Sequence, residues 1–268
     1  MKDKVVVITG ATSGIGKALA HTFGLRGSKI FITGRNQQAL DETVAELLSK
    51  QIVVRGCLAD AALEMDNQRM IQEALQSFGQ IDILICNAGI SMRALFEDIS
   101  LDTFKKVMDI NFYGMVYAVK AALPHILKTQ GSIVGISSIN GRRATPARSA
   151  YSASKYAMEG FLESLRTEVM KRGVHVLSVC PGFTASNIRN KALNAEGQSQ
   201  KESPRDEQKM MSAEEVAEKT YWAVVDRKRD LVLTIQGKLA VLLNKIIPGR
   251  MDTMVWNVMK NEPDSPVK

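Results

Sequence analysis

The stretch Val5-Val6-Val7-Ile8-Thr9-Gly10-Ala11-Thr12-Ser13-Gly14-Ile15-Gly16 decides the fold of this chain. Four β-branched residues in succession predict a strand that is buried on both faces, as in a parallel sheet. Behind the glycine-rich turn, apolar residues recur at helical spacing through Leu25. A strand, a glycine-rich turn and a helix N-terminus form an anion site, since the glycines let the backbone approach a pyrophosphate. The alternative interpretation is a tight turn without a ligand.

The alternation of strands and helices continues along the chain. Further strands are predicted at 29–33, 52–57, 81–86, 132–136, 174–179 and 231–234, and helices at 37–48, 63–78, 101–127 and 150–171. This order predicts an α/β fold with right-handed βαβ crossovers. We expect one Rossmann-like, doubly wound parallel sheet of about seven strands with helices on both faces, in one domain over 1–268. The helix over 101–127 is expected to bend or break near Pro124.

Composition and charge narrow the function classes. The chain has 268 residues, of which 45% are hydrophobic, and a formal net charge of +7. Basic residues are not interleaved with aromatic ones in runs, so we predict no nucleic-acid partner and interpret the charge as a surface that tolerates an anionic cofactor. Cys57, Cys86 and Cys180 fall in apolar, strand-like runs. Three buried thiols favour a reducing, cytoplasmic setting, and we predict no metal site.

The ends of the chain bear on localisation. Met1 to Lys4 lead directly into a strand pattern without an apolar segment, so we expect no signal peptide. No apolar run approaches the length that spans a bilayer. These features predict a cytoplasmic protein that is at most peripheral to a membrane.

The segment Tyr151-Ser152-Ala153-Ser154-Lys155 lies in the helix predicted at 150–171. Residues four apart lie on one face of a helix, so Tyr151 and Lys155 can present a phenol and an ammonium to the same cleft. A nearby cation favours the phenolate and lowers the pKa of a tyrosine toward neutrality. A surface Tyr–Lys pair is the alternative, and only the remaining motifs distinguish the two.

The end of the second predicted strand indicates which cofactor is used. In dinucleotide folds an acidic residue about 20 positions after the glycine turn accepts the ribose hydroxyls. Here that place reads Thr33-Gly34-Arg35-Asn36, without a carboxylate. An arginine suits a 2′-phosphate through charge-assisted hydrogen bonds, so we predict NADP(H), with NAD(H) as the alternative. A solvent-exposed Arg35 ahead of an Asn36 helix cap is the structural alternative.

Taken together, these motifs resemble the short-chain dehydrogenase/reductase family over residues 4 to about 235. The order and spacing of the family are met by Thr9-Gly10-x-x-x-Gly14-x-Gly16, Asn87-Ala88-Gly89, Asn111, Ser138, Tyr151-x-x-x-Lys155 and Pro181-Gly182. The likeness is to the single-domain branch with NADPH preference. The segment 142–151 is similar to microsomal hydroxysteroid dehydrogenase-like members, and the segment 96–117 to 3-keto-sphinganine reductase-like members.

The resemblance implies four catalytic residues. Tyr151 would give its proton to a carbonyl oxygen in reduction, or take it from the hydroxyl in oxidation. Lys155 would bind the nicotinamide ribose and lower the pKa of Tyr151. Ser138 would hydrogen-bond the reacting oxygen. Asn111 would hold a water that links Lys155 to solvent.

The resemblance also implies a set of cofactor contacts beyond Tyr151 and Lys155. The glycine turn would hold the pyrophosphate, Arg35 the 2′-phosphate and Asp60 the adenine amino group. Asn87 would line the adenine ribose and brace the central strands. The full expected set is Gly10, Thr12, Ser13, Gly14, Ile15, Gly16, Arg35, Asp60, Asn87, Ala88, Gly89, Pro181, Gly182, Thr184 and Ser186, with the last four at the nicotinamide end.

The substrate side is predicted from loop composition and the family likeness. Residues 185–211 are long and polar, and we expect a substrate lid there that is disordered or closes on binding. Arg142, Arg143, Thr145 and Pro146 are expected to rim the pocket. Residues 236–260 predict two short amphipathic helices around Pro248-Gly249 that cap the pocket, pack in a subunit interface or lie on a membrane. Apolar helical stripes most often face protein, which favours the first two.

The leading hypothesis is therefore an NADPH-dependent carbonyl reductase that acts on a hydrophobic substrate such as a lipid, a steroid-like compound or a long-chain ketone. The alternatives are a catalytically weak, NADP-binding redox sensor and a membrane-surface lipid-binding protein. The resemblance implies a homodimer or homotetramer that pairs through the long helix and the Tyr151 helix. The tail over 261–268 is expected to be disordered.

Overall fold

The computed structural model describes residues 1–185, 188–189, 191–200 and 210–268, and its seven strands form one parallel sheet. The order along the sheet is β3-β2-β1-β4-β5-β6-β7, so the direction of winding reverses between β1 and β4. This confirms the predicted fold class, although strand ends differ from the prediction by one or two residues. The strands are β1 (Val5–Ile8), β2 (Lys29–Gly34), β3 (Val54–Leu58), β4 (Ile83–Cys86), β5 (Ser132–Ile136), β6 (His175–Cys180) and β7 (Asp230–Val232).

Helices cover both faces of the sheet. One face carries α1 (Gly14–Gly24), α2 (Gln37–Ser49) and α7 (Ala213–Val225), and the other carries α3 (Glu64–Phe78), α5 (Gly114–Thr129) and α6 (Ser149–Val169). Ahead of α5 lies α4 (Leu101–Met108), and β7 is followed by α8 (Ile235–Ile246) and α9 (Pro248–Lys260). The two C-terminal helices confirm the helical pattern predicted around Pro248.

The core consists of two layers that the strand pleat keeps apart. Val6 and Ile8 of β1 face the layer under α1 and α7, whereas Val7 faces the layer under α3, α5 and α6. Successive strand side chains point to opposite faces, so a continuous apolar strand serves both layers. The three cysteines are buried free thiols, as predicted, and burial raises the pKa of each to about 12.

The long helix predicted at 101–127 is interrupted at a different place than expected. It continues through Pro124, and the break is a π-helical turn at Asp109–Tyr113. Pro124 removes a bond to the carbonyl of Lys120, but both residues are exposed, so solvent can satisfy that carbonyl. The wider turn places Asn111 in the buried interior, where its side chain bonds to the loop after β4.

The C-terminal tail is packed, which contradicts the predicted disorder over 261–268. Val267 is buried against Met259 and Ala147. The carboxylate of Glu262 is buried 3.7 Å from a guanidinium nitrogen of Arg93 and 3.8 Å from one of Arg148. Two buried arginines need an acceptor, and the tail supplies it.

The helices formed by the described residues bear on whether this part of the chain can cross a membrane. None of those helices combines the length and the apolar character that a bilayer crossing requires.

Candidate active site

The carboxyl ends of the strands bring the predicted site residues to one edge of the sheet. The glycine turn follows β1, Arg35 follows β2 and Asp60 follows β3. Asn87 directly follows β4, and Ser138 lies two residues beyond β5. The reversal of winding between β1 and β4 opens a crevice at this edge, which is where open α/β sheets bind ligands.

The glycine turn is shaped for close backbone approach. Gly10 has a φ of +62° and Gly14 a φ of +53°, a region that favours glycine. A Cβ on Gly10 would lie 2.9 Å from Cα of Ala88. A Cβ on Gly16 would lie 2.5 Å from the carbonyl oxygen of Gly10 and would also meet Asn87. The turn therefore leaves no room for side chains where the helix meets the sheet.

Asn87 and Thr9 lock this turn to the neighbouring strand. The Asn87 side-chain amide donates to the carbonyl oxygens of Thr9 (3.0 Å) and Gly10 (2.9 Å). The Thr9 hydroxyl accepts from the backbone N–H groups of Asn87 and Ala88, both at 3.0 Å. The bracing role expected for Asn87 is thus present in the geometry.

The N-terminus of α1 faces the crevice without a protein carboxylate in its first turn. Ser13 is the N-cap, and its hydroxyl makes no capping bond, so the first N–H groups of the helix lack a side-chain acceptor there. Free N–H groups and the helix dipole favour a phosphate at this point. The glycine cradle and this helix end fit the pyrophosphate of a dinucleotide, with Thr12 and Ile15 in the turn itself.

Arg35 stands at the adenosine side of the crevice. Its side chain is 54% exposed, and one guanidinium nitrogen lies 4.0 Å from a carboxylate oxygen of Asp60. Asn36 caps α2 by accepting from the N–H of Ala39 at 2.8 Å, so Arg35 projects at the junction of strand and helix. Most of its donors remain available to a ligand, and a fork of donors suits a phosphate ester.

Ser138 and Tyr151 meet at the centre of the edge. Ser138 is the N-cap of the short 3-10 turn Ile139–Gly141 and accepts from the N–H of Asn140 at 3.2 Å. Its hydroxyl lies within hydrogen-bonding reach of the Tyr151 phenol, which lowers the pKa of that phenol. Two hydroxyls from different elements therefore converge on one point, where a substrate oxygen can accept from both.

Lys155 lies one turn beyond Tyr151 on α6 and is buried, with its ammonium 5.7 Å from the centre of the Tyr151 ring. The ammonium donates to the carbonyl oxygen of Ile136 at 2.8 Å. Burial lowers the pKa of Lys155 to about 8.

The expected lowering of the Tyr151 pKa is not found in this structure. Burial outweighs the hydrogen bond from Ser138, so the pKa of Tyr151 is raised above its ordinary value. The prediction was wrong in direction because it counted the nearby cation but not the removal of the phenol from water. The Lys155 ammonium is hydrogen-bonded to the carbonyl of Ile136 and lies 5.7 Å from the centre of the phenol ring.

Asn111 is fully engaged by protein groups. Its side-chain oxygen accepts from the N–H of Ile90 at 2.8 Å, and its side-chain amide donates to the carbonyl of Ile90 and the hydroxyl of Ser154, both at 2.9 Å. The side chain joins the π-helical turn, the loop after β4 and α6. The side-chain oxygen of Asn111 has a second lone pair, and the water predicted to link Lys155 to solvent stays a prediction.

Gly89, expected at the adenine ribose, lies beside Asn111 and Lys155, and the residues expected at the nicotinamide end follow β6. A Cβ on Gly89 would come 3.1 Å from the Asn111 side-chain oxygen and 3.7 Å from the Lys155 ammonium, so only a glycine keeps that space open. Pro181 accepts from the N–H of Ile139 at 3.1 Å. Thr184 is buried and its hydroxyl donates to the carbonyl of Gly182 at 3.2 Å. Ser186, also predicted here, lies outside the described residues.

Part of the expected lid is packed over the site. Leu193 pairs with the loop after β4: its N–H donates to Ser91 at 2.9 Å, and its carbonyl accepts from Arg93 at 2.8 Å. Leu193 also joins Met92 and Tyr151 in one buried apolar cluster. Closure on binding stays a prediction, and residues 186, 187, 190 and 201–209 lie outside the described part of the lid.

The predicted pocket rim divides into two groups. Arg143, Thr145 and Pro146 line a cavity of about 640 Å³ between α6 and α9. Arg142 does not, because its guanidinium is paired with Glu159 at 2.8 Å and with Asp230 at 2.5 Å. That part of the prediction was wrong, since the sequence does not reveal that α6 and β7 each bring a carboxylate to this arginine.

Some residues near the reacting phenol were missed by the sequence analysis. The charges of Arg148 and Arg189 act on Tyr151 and lower the pKa of its phenol. Arg148 precedes α6 by one residue and was visible as a cation close to Tyr151. Arg189 and the tail residue Glu262 reach the area only through the fold. Within the described part of the chain, no three His, Cys, Asp or Glu residues are grouped as metal ligands.

Comparisons with known proteins agree with this geometry. A family profile described as short chain dehydrogenase matches residues 4–197. The chain is 38% identical over 258 residues to dehydrogenase/reductase SDR family member 7B of Mus musculus, covering 93% of this chain and 79% of the mouse protein. It is 36% identical over 255 residues to dehydrogenase/reductase SDR family protein 7-like of Drosophila melanogaster, covering 93% and 78%.

Two solved structures share the fold. A short chain dehydrogenase/reductase from Burkholderia phymatum in complex with NAD superposes with a TM-score of 0.83 and 25% identity, covering 91% of this chain and 94% of that one. An alcohol dehydrogenase from the archaeon Thermococcus sibiricus, complexed with 5-hydroxy-NADP, gives a TM-score of 0.75 at 22% identity, covering 87% and 96%. The second likeness speaks for the fold alone.

Proposed function

This chain belongs to the short-chain dehydrogenase/reductase family of oxidoreductases, and we propose that it is an NADP(H)-dependent enzyme acting on the carbonyl or secondary alcohol of a hydrophobic substrate. The observation that carries the proposal is the convergence of Ser138 and Tyr151, with Lys155 one turn away, at the dinucleotide edge of the sheet. Position and proton traffic are the parts of such a reaction that a protein supplies.

The catalytic residues divide the work at one oxygen atom. The nicotinamide, when bound, supplies or accepts the hydride. Tyr151 donates its proton to the carbonyl oxygen during reduction, and Ser138 hydrogen-bonds the same oxygen while negative charge develops on it. A raised pKa keeps the Tyr151 phenol protonated, which suits a proton donor in the direction of reduction.

Lys155 completes the proton path. Its pKa of about 8 lies near neutral pH, where a group passes protons most effectively. Asn111 holds the loop after β4 against α6 and so fixes the space in front of Lys155. We assign Lys155 to the nicotinamide ribose and to proton exchange with Tyr151, and Asn111 to the water-linked route toward solvent.

The preference for NADP(H) rests on Arg35 and on the absence of an acidic residue at the end of β2. A half-exposed guanidinium with few protein partners can form paired bonds to a 2′-phosphate. Asp60 would then turn from Arg35 toward the adenine. NAD(H) lacks that phosphate, so Arg35 would add nothing to its binding free energy.

The hydrophobic nature of the substrate is inferred from the groups around Tyr151. Met92, Ala94, Ile99 and Leu193 form a buried apolar cluster with the Tyr151 ring. A site with apolar walls and a few polar atoms at one point favours an extended apolar molecule with a single reacting oxygen.

The direct test is NADPH and NADH oxidation by the purified protein with a panel of ketones, aldehydes, steroids and long-chain 3-keto lipids. Tyr151→Phe should lower kcat by about 10²-fold or more, since proton transfer is worth about that much. Tyr221→Phe, on α7 and packed against Phe23 and Trp222 away from the catalytic edge, is the matched control. Unchanged turnover in Tyr151→Phe would refute the assigned role.

Cofactor choice needs a separate pair of variants. Arg35→Ala should weaken NADPH binding by about tenfold or more and leave NADH nearly unaffected, because only the 2′-phosphate loses its partner. Arg55→Ala on the neighbouring strand β3, also exposed, controls for loss of surface charge. Equal losses for both cofactors in Arg35→Ala would contradict the NADPH preference.

Assembly and location stay predictions. The aromatic rings of Phe112, Tyr113, Tyr117 and Phe161 contact one another on α5, α6 and the turn before α5, which is the face where the family likeness implies subunit pairing. The buried thiols support a cytoplasmic, reducing setting. A sensor without chemistry is disfavoured, because Asn111, Ser138, Tyr151 and Lys155 are all present in one cleft.

A further inference from the structure

We propose that α8 docks on a lipid bilayer surface that carries anionic head groups, and that this holds the catalytic edge of the sheet one helix away from the membrane. The reaction does not use the exposed face of α8. It commits to a peripheral contact, in which the helix lies in the plane of the head groups without crossing the bilayer.

The exposed face of α8 is a continuous apolar stripe. Ile235 is 85% exposed, Leu239 52%, Leu242 54% and Ile246 66%. Their spacing of four, three and four residues places them on one side of the helix. Gly237 is the only buried residue of α8. An apolar stripe of this length left open to solvent marks a surface that another phase or molecule covers.

The charges beside the stripe fit an anionic surface. Lys238 and Lys245 are exposed and seven residues apart, so both flank the same edge of the stripe. The helix contains no aspartate or glutamate. Cations with long apolar stems at the edge of an apolar face are the pattern of helices that lie in the head-group region. Each lysine near an anionic bilayer makes a favourable contribution to the free energy of binding.

The neighbouring helix extends the same kind of surface. Met254 and Val258 of α9 lie four residues apart on one face of the helix and are 52% and 57% exposed. Arg250 and Lys260, at the two ends of that helix, are exposed as well.

A second copy of this chain fits the stripe less well. In a two-fold contact that pairs the helices antiparallel the same patch meets itself, so Lys238 and Lys245 of one α8 would face the same two lysines of the other. Without an acidic residue in α8, this arrangement brings like charges together in a partly dry interface. An anionic bilayer offers the opposite charge to both ammonium groups of α8.

The buried face of α8, opposite the stripe, adjoins the catalytic edge. Thr234, the N-cap of α8, accepts from the N–H of Gly237 at 3.0 Å and lies 2.9 Å from where a Cβ on Gly182 would be. Gly237 packs against Ile139, the residue after Ser138. A docked α8 therefore lies between the bilayer and the end of the site formed by Ser138 and Gly182. Delivery of a membrane-dissolved carbonyl compound to Tyr151 rests on the proposed function, whereas the docking itself does not.

The test is co-sedimentation of the full chain with vesicles of phosphatidylcholine alone and of phosphatidylcholine with phosphatidylserine, without cofactor or substrate. Leu239→Glu combined with Leu242→Glu removes the stripe. Met65→Glu combined with Leu101→Glu is the matched control, since both residues are exposed apolar side chains on other helices. Lys238→Gln combined with Lys245→Gln removes the charge at two exposed positions and leaves the stripe in place.

The native chain should sediment with the phosphatidylserine vesicles, and the stripe variant should bind at least about tenfold more weakly while the control pair binds normally. The lysine variant should lose about tenfold on phosphatidylserine vesicles only. Equal binding by the stripe variant, or no sedimentation of the native chain with either vesicle, would overturn the proposal. The proposal would also be overturned if the native chain were an oligomer, the stripe variant were a monomer and both bound vesicles equally. That result would assign the face to a second copy of the chain. If the native chain showed no turnover in solution, that result would speak against the proposed function and not against docking, because the sedimentation assay contains neither cofactor nor substrate.

Discussion

Replacing Lys155 by methionine should abolish catalysis and at the same time stabilise the folded chain at neutral pH. The lysine is buried, and burial lowers its pKa from 10.5 to about 8. Between these two values the unfolded chain holds a proton that the folded chain does not. Stability therefore rises as pH increases from about 8 to about 10.5, and below about 8 the folded state carries the full cost of a buried charge.

The size of the effect follows from the shift. A difference of about 2.5 pKa units corresponds to about 3 kcal/mol of destabilisation below pH 8. Methionine removes this cost but also removes the hydrogen bond to Ile136, worth about 1 kcal/mol. The net expectation is a gain of about 2 kcal/mol at pH 7 that falls through zero and becomes a small loss above pH 10.5.

The measurement is the free energy of unfolding by urea at several pH values from 7 to about 10, for the native chain, Lys155→Met and Lys120→Met, without cofactor. Lys120 is an exposed lysine on α5 and controls for the loss of any lysine. A Lys155→Met variant that is less stable than the native chain at pH 7, or a difference that does not change with pH, would refute the reasoning that Lys155 is held against its charge.

Three further predictions concern the frame of the site. Gly16→Ala should lower the free energy of unfolding by about 2 kcal/mol or more and abolish cofactor binding, because its methyl group would meet Gly10 and Asn87. Gly160→Ala has open space at its Cβ and should raise the free energy of unfolding by about 0.5–1 kcal/mol. Thermal denaturation of the two variants measures both effects. Asn111→Ala should destabilise by about 2–3 kcal/mol and lower kcat, because the backbone of Ile90 loses both partners; an unchanged melting temperature would contradict this. Glu262→Ala should lower the free energy of unfolding by about 3 kcal/mol, because it removes the carboxylate beside two buried guanidinium groups. A denaturation curve that matches that of the native chain would show that this contact does not stabilise the fold.

The sheet and the site edge could be predicted because they depend on local patterns. Four β-branched residues before Gly10 indicate a buried strand, and the rule that parallel strands end at the same edge places Asn87, Ser138 and Pro181 together. These arguments need only the order of residues. The comparisons with known proteins then required no change to the fold.

The errors arose where burial or a distant partner decides the outcome. The sign of the Tyr151 pKa shift depends on how completely the phenol is removed from water, which a four-residue spacing does not express. The interruption at Asn111 rather than at Pro124 depends on a hydrogen bond to Ile90, which lies in another loop. Glu262 was assigned to a disordered tail because its arginine partners lie more than a hundred residues earlier in the chain.

The packed tail has a practical consequence for handling this protein. Glu262 contacts Arg148, the residue that precedes the helix carrying Tyr151, and Val267 is buried one position before the end of the chain. An expression boundary drawn at the end of α9 would remove these contacts, and an affinity tag fused after Lys268 would begin beside a buried side chain. Weak activity in such a preparation would reflect the missing end of the chain rather than the chemistry of the site, so trimmed material should be checked by mass before any assay.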